Sequence, residues 1–224
     1  MNKKLKIAII SDTHGMHKGV ENRFKFPPAD FIIHCGDISG RGTEKVIREF
    51  LYWFNNLDQF KHKIFIAGNH DILFEDYSLQ AKEIVEEFEN VIYLEDNGIE
   101  LEGIKLWGTP VTRSFNNWAF NRSEEKLQQH WEAIPDDTDV VITHGPPKYI
   151  MDFVDNFLGQ KYTGSPSLYN EIIDRIKPQI NCFGHIHENY GQKYIKGVNF
   201  INASVLNDQY RIVNPPIYVD IEVE

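Results

Sequence analysis

Short apolar runs recur along the chain, and many of them break off at Asp, Asn or His. Residues 5–10 form a near-continuous apolar run rich in Ile, the signature of a buried strand. Pro27 and Pro28 mark a loop before a second run at 31–34, and a third lies at 64–67. Residues 43–57 have helical spacing, with Val46, Phe50, Leu51 and Phe54 on one side. The spacing predicts a further helix at 79–88 and a short strand at 91–94. From 98 the rhythm shortens: 98–103 and 104–107 read as small strands around turns, which favours antiparallel pairing. A helix over 123–131 follows, capped by Ser123 or Asn121. Residues 140–143 are another buried strand. Residues 145–166 mix Gly, Pro, Asp and aromatics and read as a long irregular loop, a candidate wall or lid. A helix over 167–176 stops before Pro178. Strands follow at 180–183, around Tyr194, at 200–203 and at 217–221.

An early strand–helix alternation that gives way to shorter strands predicts an α/β fold in four layers. Two mixed sheets pack together and helices flank them, an αββα sandwich. There is no internal repeat, low-complexity tract or interdomain linker, so 1–224 is expected to be a single domain.

The chain of 224 residues is 42% hydrophobic and 25% charged, ordinary for a globular enzyme. Its formal net charge of −10 argues against a nucleic-acid scaffold, which needs a basic surface. A small nucleotide substrate stays open, because bound cations reverse the field locally. Cys35 and Cys182 form no CxxC pair, so two buried thiols are expected rather than a structural zinc knuckle. The apolar part of the opening segment is too short for a signal peptide, and no stretch reaches membrane-spanning length. These features predict a cytoplasmic protein without a membrane role. They do not set an oligomeric state.

The chemistry lies where the runs end. IAIISDTH, FIIHCGD, IFIAGNHD, VVITHG and INCFGHIH supply Asp12, His14, Asp37, Asn69, His70, Asp71, His144, His185 and His187. An α/β fold gathers such residues at one rim. The set suits two adjacent metal ions that share a carboxylate, and so metal-assisted phosphate-ester hydrolysis. Asp12 and His14, two apart on an extended backbone, point to one side and can bind one ion together. Asp37 is the candidate bridge, and Gly36 beside it permits a tight turn or close approach. The Asn69 amide oxygen coordinates without adding charge. His70 is a candidate proton donor, with Asp71 holding its ring in orientation. His34 is expected to be packed and hydrogen-bonded rather than ligating.

The ordered pattern DTH, GD, GNHD, H, GHIH resembles the calcineurin-like metallophosphoesterase superfamily over nearly the whole chain. The strings HCGD, LWGTPVTRSFNNWAFNR, ITHGPP and FGHIHENYG look more narrowly like the metallophosphoesterase-domain-containing family. The resemblance implies metal-dependent phosphodiesterase activity, including on cyclic nucleotides. It assigns Asp12, His14, Asp37 and His187 to a first ion, and Asp37, Asn69, His144 and His185 to a second. Some animal relatives carry glycine where His185 stands, so its presence implies a complete second site. The resemblance favours Mn²⁺; nitrogen and oxygen donors without thiolate also suit Fe or Zn²⁺.

The expected nucleophile is a hydroxide bridging two ions, attacking phosphorus in line. The expected substrate is a small phosphodiester or nucleotide. Phosphomonoesters or a broad ester range are the alternative, and a non-catalytic metal-binding module is a third reading that the intact donor set disfavours. Arg113, Asn117, Trp118 and Arg122 are candidate substrate contacts, because arginine grips phosphate and an aromatic ring stacks on a base. Core packing is the competing role for Trp118 and Phe120. Tyr149, Phe153 and Phe157 form a second candidate aromatic wall.

Overall fold

The computed structural model describes residues 3–156 and 159–223. Two mixed sheets stack face to face. In the first, five strands run in the order Ile217–Glu222, Lys4–Ile10, Ala29–Cys35, Phe60–Ile66, Ile92–Tyr93. The last four in that order are parallel, and Ile217–Glu222 closes one edge antiparallel to Lys4–Ile10. In the second, six strands run in the order Gly191–Ile195, Val198–Asn202, Ile180–Phe183, Val140–Thr143, Ile104–Thr109, Asn97–Leu101. Its four central strands are parallel and its two edges antiparallel.

Alternation along the strands builds the layers. Ile7, Ile9, Phe31 and Ile33 face Leu106, Ile142, Cys182 and Ile201 in the core between the sheets. Ala8, Ile10 and Ile32 point the other way, onto the helices Glu44–Asn55 and Ser78–Glu86. On the outer face of the second sheet, Val141, Phe183 and Phe200 pack with Leu127 and Trp131 of helix Glu124–Glu132 and with Leu168 and Ile172. The result is the αββα sandwich expected. Cys35 and Cys182, remote in sequence, meet in the central core as free, fully buried thiols. Burial and a hydrogen bond to Cys182 push the Cys35 thiol well up.

Four details differ from the sequence reading. The buried face of Glu44–Asn55 carries Ile47 and Trp53 with Phe50, Leu51 and Phe54, whereas Val46 is half-buried. Residues 145–166 are not irregular throughout: Phe153–Asn156 pairs antiparallel with Gly159–Tyr162 as a hairpin arm. The helix expected at 167–176 starts at Pro166, capped by the Ser165 hydroxyl, and changes to a π-helical turn over Glu171–Ile176. Lys177 then leaves in a left-handed conformation, one residue before Pro178. Short helices His17–Arg23 and Ile72–Asp76 lack the length to show a period in the sequence. Among the described residues no helix is long and apolar enough to cross a membrane.

Candidate metal centre

Both sheets turn the C-terminal ends of their parallel strands toward one rim. Asp12 follows Lys4–Ile10, Asp37 follows Ala29–Cys35, and Asn69 and His70 follow Phe60–Ile66. From the second sheet, His144 follows Val140–Thr143, and His185 and His187 follow Ile180–Phe183. A bridge between Ser11 and Ser204 stitches the two sheets at this rim.

The backbone here is unusual. Asp12, His14, Asp37 and His185 all have positive φ, at 56°, 43°, 54° and 66°. Asp12 and His14 therefore converge through a left-handed turn, not through the extended alternation expected. The turn is fixed by Asp12 N–H to Gly36 O at 3.0 Å and His14 N–H to Asp37 O at 2.9 Å. Gly36 (φ 97°) is needed for a close approach: a Cβ there would run into Ala67 O and His144 Nδ1. A Cβ at Gly184 would overlap Asp12 Oδ2 and Ser11 Oγ.

Asp12, His14 and His187 form the first pocket, with donor atoms within 4.8 Å of one another. The Nε2 atoms of His14 and His187 face each other at 3.4 Å, and Asp12 Oδ1 lies 3.4 Å from His187 Nε2. An ion seated between the two Nε2 atoms would take a lone pair from each, in place of the proton that the His187 ring otherwise carries. His187 Nδ1 donates to Asn207 O at 3.1 Å, which leaves Nε2 turned inward. The donor set thus fits a divalent ion. Without one, burial would lower the His187 ring, but the Asp12 hydrogen bond and charge raise it to about 9. Burial would raise the Asp12 carboxyl, yet the bond and charge of His187, with His144 and His14, hold it well below the usual range.

Asp12, Asp37 and His144 form a second group, and His14, Asp37 and His70 a third. Asp37 is common to both. Its Oδ2 lies 3.6 Å from His14 Nε2 and its Oδ1 3.4 Å from His144 Nε2. Asn69 Oδ1 stands 3.0 Å from His144 Nε2, while His144 Nδ1 is held by Cys35 O at 2.9 Å. Burial would lower the His144 ring, but Asp37 and Asp12 raise it to about 9. His185 stands outside the three close groups. Its ring centroid is 5.0 Å from that of His144, and its backbone N–H donates to both Asp12 oxygens at 3.0–3.1 Å. Burial and the His144 charge lower its ring to about 4.

His70 lies at the mouth. Its ring stacks on Trp118 (centroids 4.1 Å, planes 28°) and meets His14 edge-on at 4.7 Å. Asp71 does not orient it. The partner of His70 Nδ1 is Gly40 O at 2.9 Å. The Asp71 carboxylate is fully buried and accepts from Ile38 N–H, Ser39 N–H, Ser39 Oγ and Gly68 N–H, pinning two strand-end loops together. Burial and the charge of Asp37 lift it to about 7. His34 is a packing residue, as expected: fully buried, 3.0 Å from Thr13 Oγ1, and lowered to about 3 chiefly by burial.

The candidate substrate residues separate. Arg113 lines a cleft beside His185. Trp118 touches His70 instead. Arg122 is tied to Glu75 at 2.7 Å and does not line that cleft, and Glu75 also accepts from Phe120 N–H. Asn117 is exposed, and Phe120 is core. Tyr149 and Phe153 both pack on Tyr162, at 5.1 and 5.4 Å. Phe157 lies outside the described residues.

Three contributors escaped the sequence reading. Ser204 Oγ donates to Asp12 Oδ2 at 2.6 Å, and Asn207 O fixes His187. Tyr210 meets His14 and His187 edge-on, with ring centroids at 5.0 and 5.2 Å. Strand Val198–Asn202 runs into Ala203-Ser204, so the same strand-end pattern marks Ser204. Asn207 acts through its carbonyl, which leaves no side-chain signal.

Two helix-backed mixed sheets whose strand ends gather buried Asp, Asn and His donors define a metal-binding αββα sandwich. The sequence profile of the family described as calcineurin-like phosphoesterase matches residues 5–189. The chain belongs to that family, together with the metallophosphoesterase-domain-containing proteins. Metallophosphoesterase domain-containing protein 1 of Homo sapiens and that of Mus musculus are each 32% identical over 237 residues, covering 96% of this chain and 71% of theirs. A UPF0046 protein of Caenorhabditis elegans is 33% identical, covering 98% of this chain and 60% of its own. A solved structure from Thermus thermophilus shares the fold with a TM-score of 0.64 at 14% identity, over 99% of this chain and 100% of that one.

Proposed function

We propose that this chain is a phosphodiesterase dependent on two divalent ions, with small phosphodiesters, cyclic nucleotides among them, as substrates. The observation that carries the reading is Asp37, with one oxygen toward His14 and the other toward His144. Asp12, His14, Asp37 and His187 would hold one ion; Asp37, Asn69, His144 and His185 would hold the other. When bound, the pair supplies an activated water and neutralises charge at phosphorus.

The chain's own groups do the rest. His70, its Nδ1 held by Gly40 O, presents Nε2 as the proton donor to a phosphoryl or leaving oxygen. Trp118 holds that ring by stacking and shields one face from water. Arg113, which lines a cleft with His185, would grip a phosphoryl oxygen. Mn²⁺ is the proposed ion, within a donor set that also suits Fe or Zn²⁺. We place the activity in one unit spanning 1–224, in the cytoplasm, where free Cys35 and Cys182 stay reduced.

The test is Mn²⁺-activated hydrolysis of bis-p-nitrophenyl phosphate against p-nitrophenyl phosphate, with Asp37→Asn as control. A diester preference that vanishes in the variant supports the reading. A monoester preference makes the protein a phosphatase, and activity unchanged by Asp37→Asn overturns the shared-carboxylate mechanism.

A further inference from the structure

A cleft of about 470 Å³ opens from the rim at His185. Its lining includes Arg113 and Phe115, Lys161 and Tyr162 of the hairpin arm, and Glu188. His70 is not among the lining residues.

The cleft keeps two large rings in water: Phe115 is 48% exposed and Tyr162 51%. Exposed rings gathered at a concave, polar-rimmed site mark a binding surface. Neither ring is left to wander. Lys161 Nζ sits 5.7 Å from the Phe115 centroid, so the hairpin arm and the 113–115 segment hold each other by a cation–π contact. Tyr162 is backed by Tyr149 and Phe153. The charge balance is local and runs against the chain's −10: two cations face one carboxylate. Arg113 reaches Glu124 only at 3.9 Å, which leaves its guanidinium fork to an incoming anion.

We propose that this cleft is the subsite for the ester group that stays on phosphorus, and that it takes a planar aromatic group against Phe115 and Tyr162. The proposal rests on the phosphodiesterase reading above. The assignment to the retained group follows from His70. With His70 as the donor to the leaving oxygen, rather than to a phosphoryl oxygen, the leaving group departs outside the cleft and the cleft keeps its occupant. On an acyclic diester, the water oxygen bonds to phosphorus and the P–O bond to the other ester group breaks. The departing alcohol takes its proton from His70, and the aryl phosphomonoester stays in the cleft with Arg113 on a phosphoryl oxygen. A cyclic diester opens to a single phosphomonoester by the same step.

The experiment uses two diesters with one leaving group: phenyl p-nitrophenyl phosphate and methyl p-nitrophenyl phosphate, on Mn²⁺-loaded protein. The expected result is a kcat/KM higher for the phenyl ester by on the order of ten-fold, the size of one good aromatic contact. Phe115→Ala and Tyr162→Ala should each pull that ratio toward one. Both side chains are half-exposed, so unchanged melting curves verify that the variants fold. Equal rates on the two esters in wild type, or a ratio that survives both substitutions, overturn the subsite and leave the phosphodiesterase reading standing. If neither diester is cleaved while p-nitrophenyl phosphate is, that reading falls. Calorimetry with phenyl phosphate and methyl phosphate then judges the cleft alone: tighter phenyl phosphate binding that Phe115→Ala abolishes upholds it, and equal binding overturns it.

Discussion

The two proposed metal pockets, joined through Asp37, are built differently. The first is closed. Asp12 is held by Ser204 and by the His185 backbone, His187 by Asn207 O, and Tyr210 meets His14 and His187 edge-on. The second is half open: His144 is locked by Cys35 O, but His185 faces the cleft and has no comparable brace among the described residues. One pocket fixes geometry; the other, in the proposed reaction, would meet substrate. An enzyme that must hold an ion tightly and still admit an ester benefits from this division of labour.

The comparison breaks hardest at the shared carboxylate. Asp37→Asn should lower kcat/KM by on the order of 10³-fold, because it weakens both pockets at once. Elemental analysis should show fewer than two ions per chain; two ions retained with full activity would remove Asp37 from the centre. Ser204→Ala separates the pockets. It should weaken the first ion by about 10–100-fold, the usual worth of a group that braces a ligand, and leave the second unchanged. Equal weakening of both, read by two-site calorimetry, would show that the pockets are not independent.

Acidity should act on both. His187 and His144 are raised to about 9 without metal, so at neutral pH each carries a proton that an ion must displace. Apparent affinity is therefore full above about pH 9 and falls as pH drops below it, by about ten-fold per unit for each proton released. Calorimetry in buffers of different ionisation heat counts those protons; zero release at neutral pH contradicts the assignment. The smallest effect belongs to Tyr210→Ala, which removes only ring contacts. It should weaken the first ion by about two- to ten-fold and spare the second. No change in either would make Tyr210 a bystander.

The donors were legible because strand-end chemistry is written in adjacent letters: IISDTH or FGHIH shows both the apolar run and the ligands. The sandwich was legible in the early strand–helix alternation that gives way to shorter strands, whereas the continuous apolar run at 5–10 did not show that Ile9 enters one core and Ile10 the other. What escaped depends on groups without a letter of their own. The Gly40 and Asn207 carbonyls orient His70 and His187, and any residue there offers a carbonyl. Asp71 misled because adjacency in sequence suggested contact with His70, whereas its carboxylate reaches back to Ile38 and Ser39. The hairpin arm was hidden because Phe153–Asn156 and Gly159–Tyr162 lack a clean alternation. Val46 and Ile47 are neighbours on a helix, and a small rotation decides which is inside.

The left-handed backbone at His185 also bears on descent. A non-glycine residue at φ 66° carries strain of about 1–2 kcal/mol, and glycine there carries none. Glycine would also keep the backbone N–H that holds Asp12. A lineage that lost its need for the second pocket could therefore drift to glycine at 185 with a gain in foldedness and an intact first pocket. The same change at Asp12 would remove the carboxylate that Ser204 and His187 bind. Erosion of this centre should begin on its open side, at the residue whose loss the fold rewards.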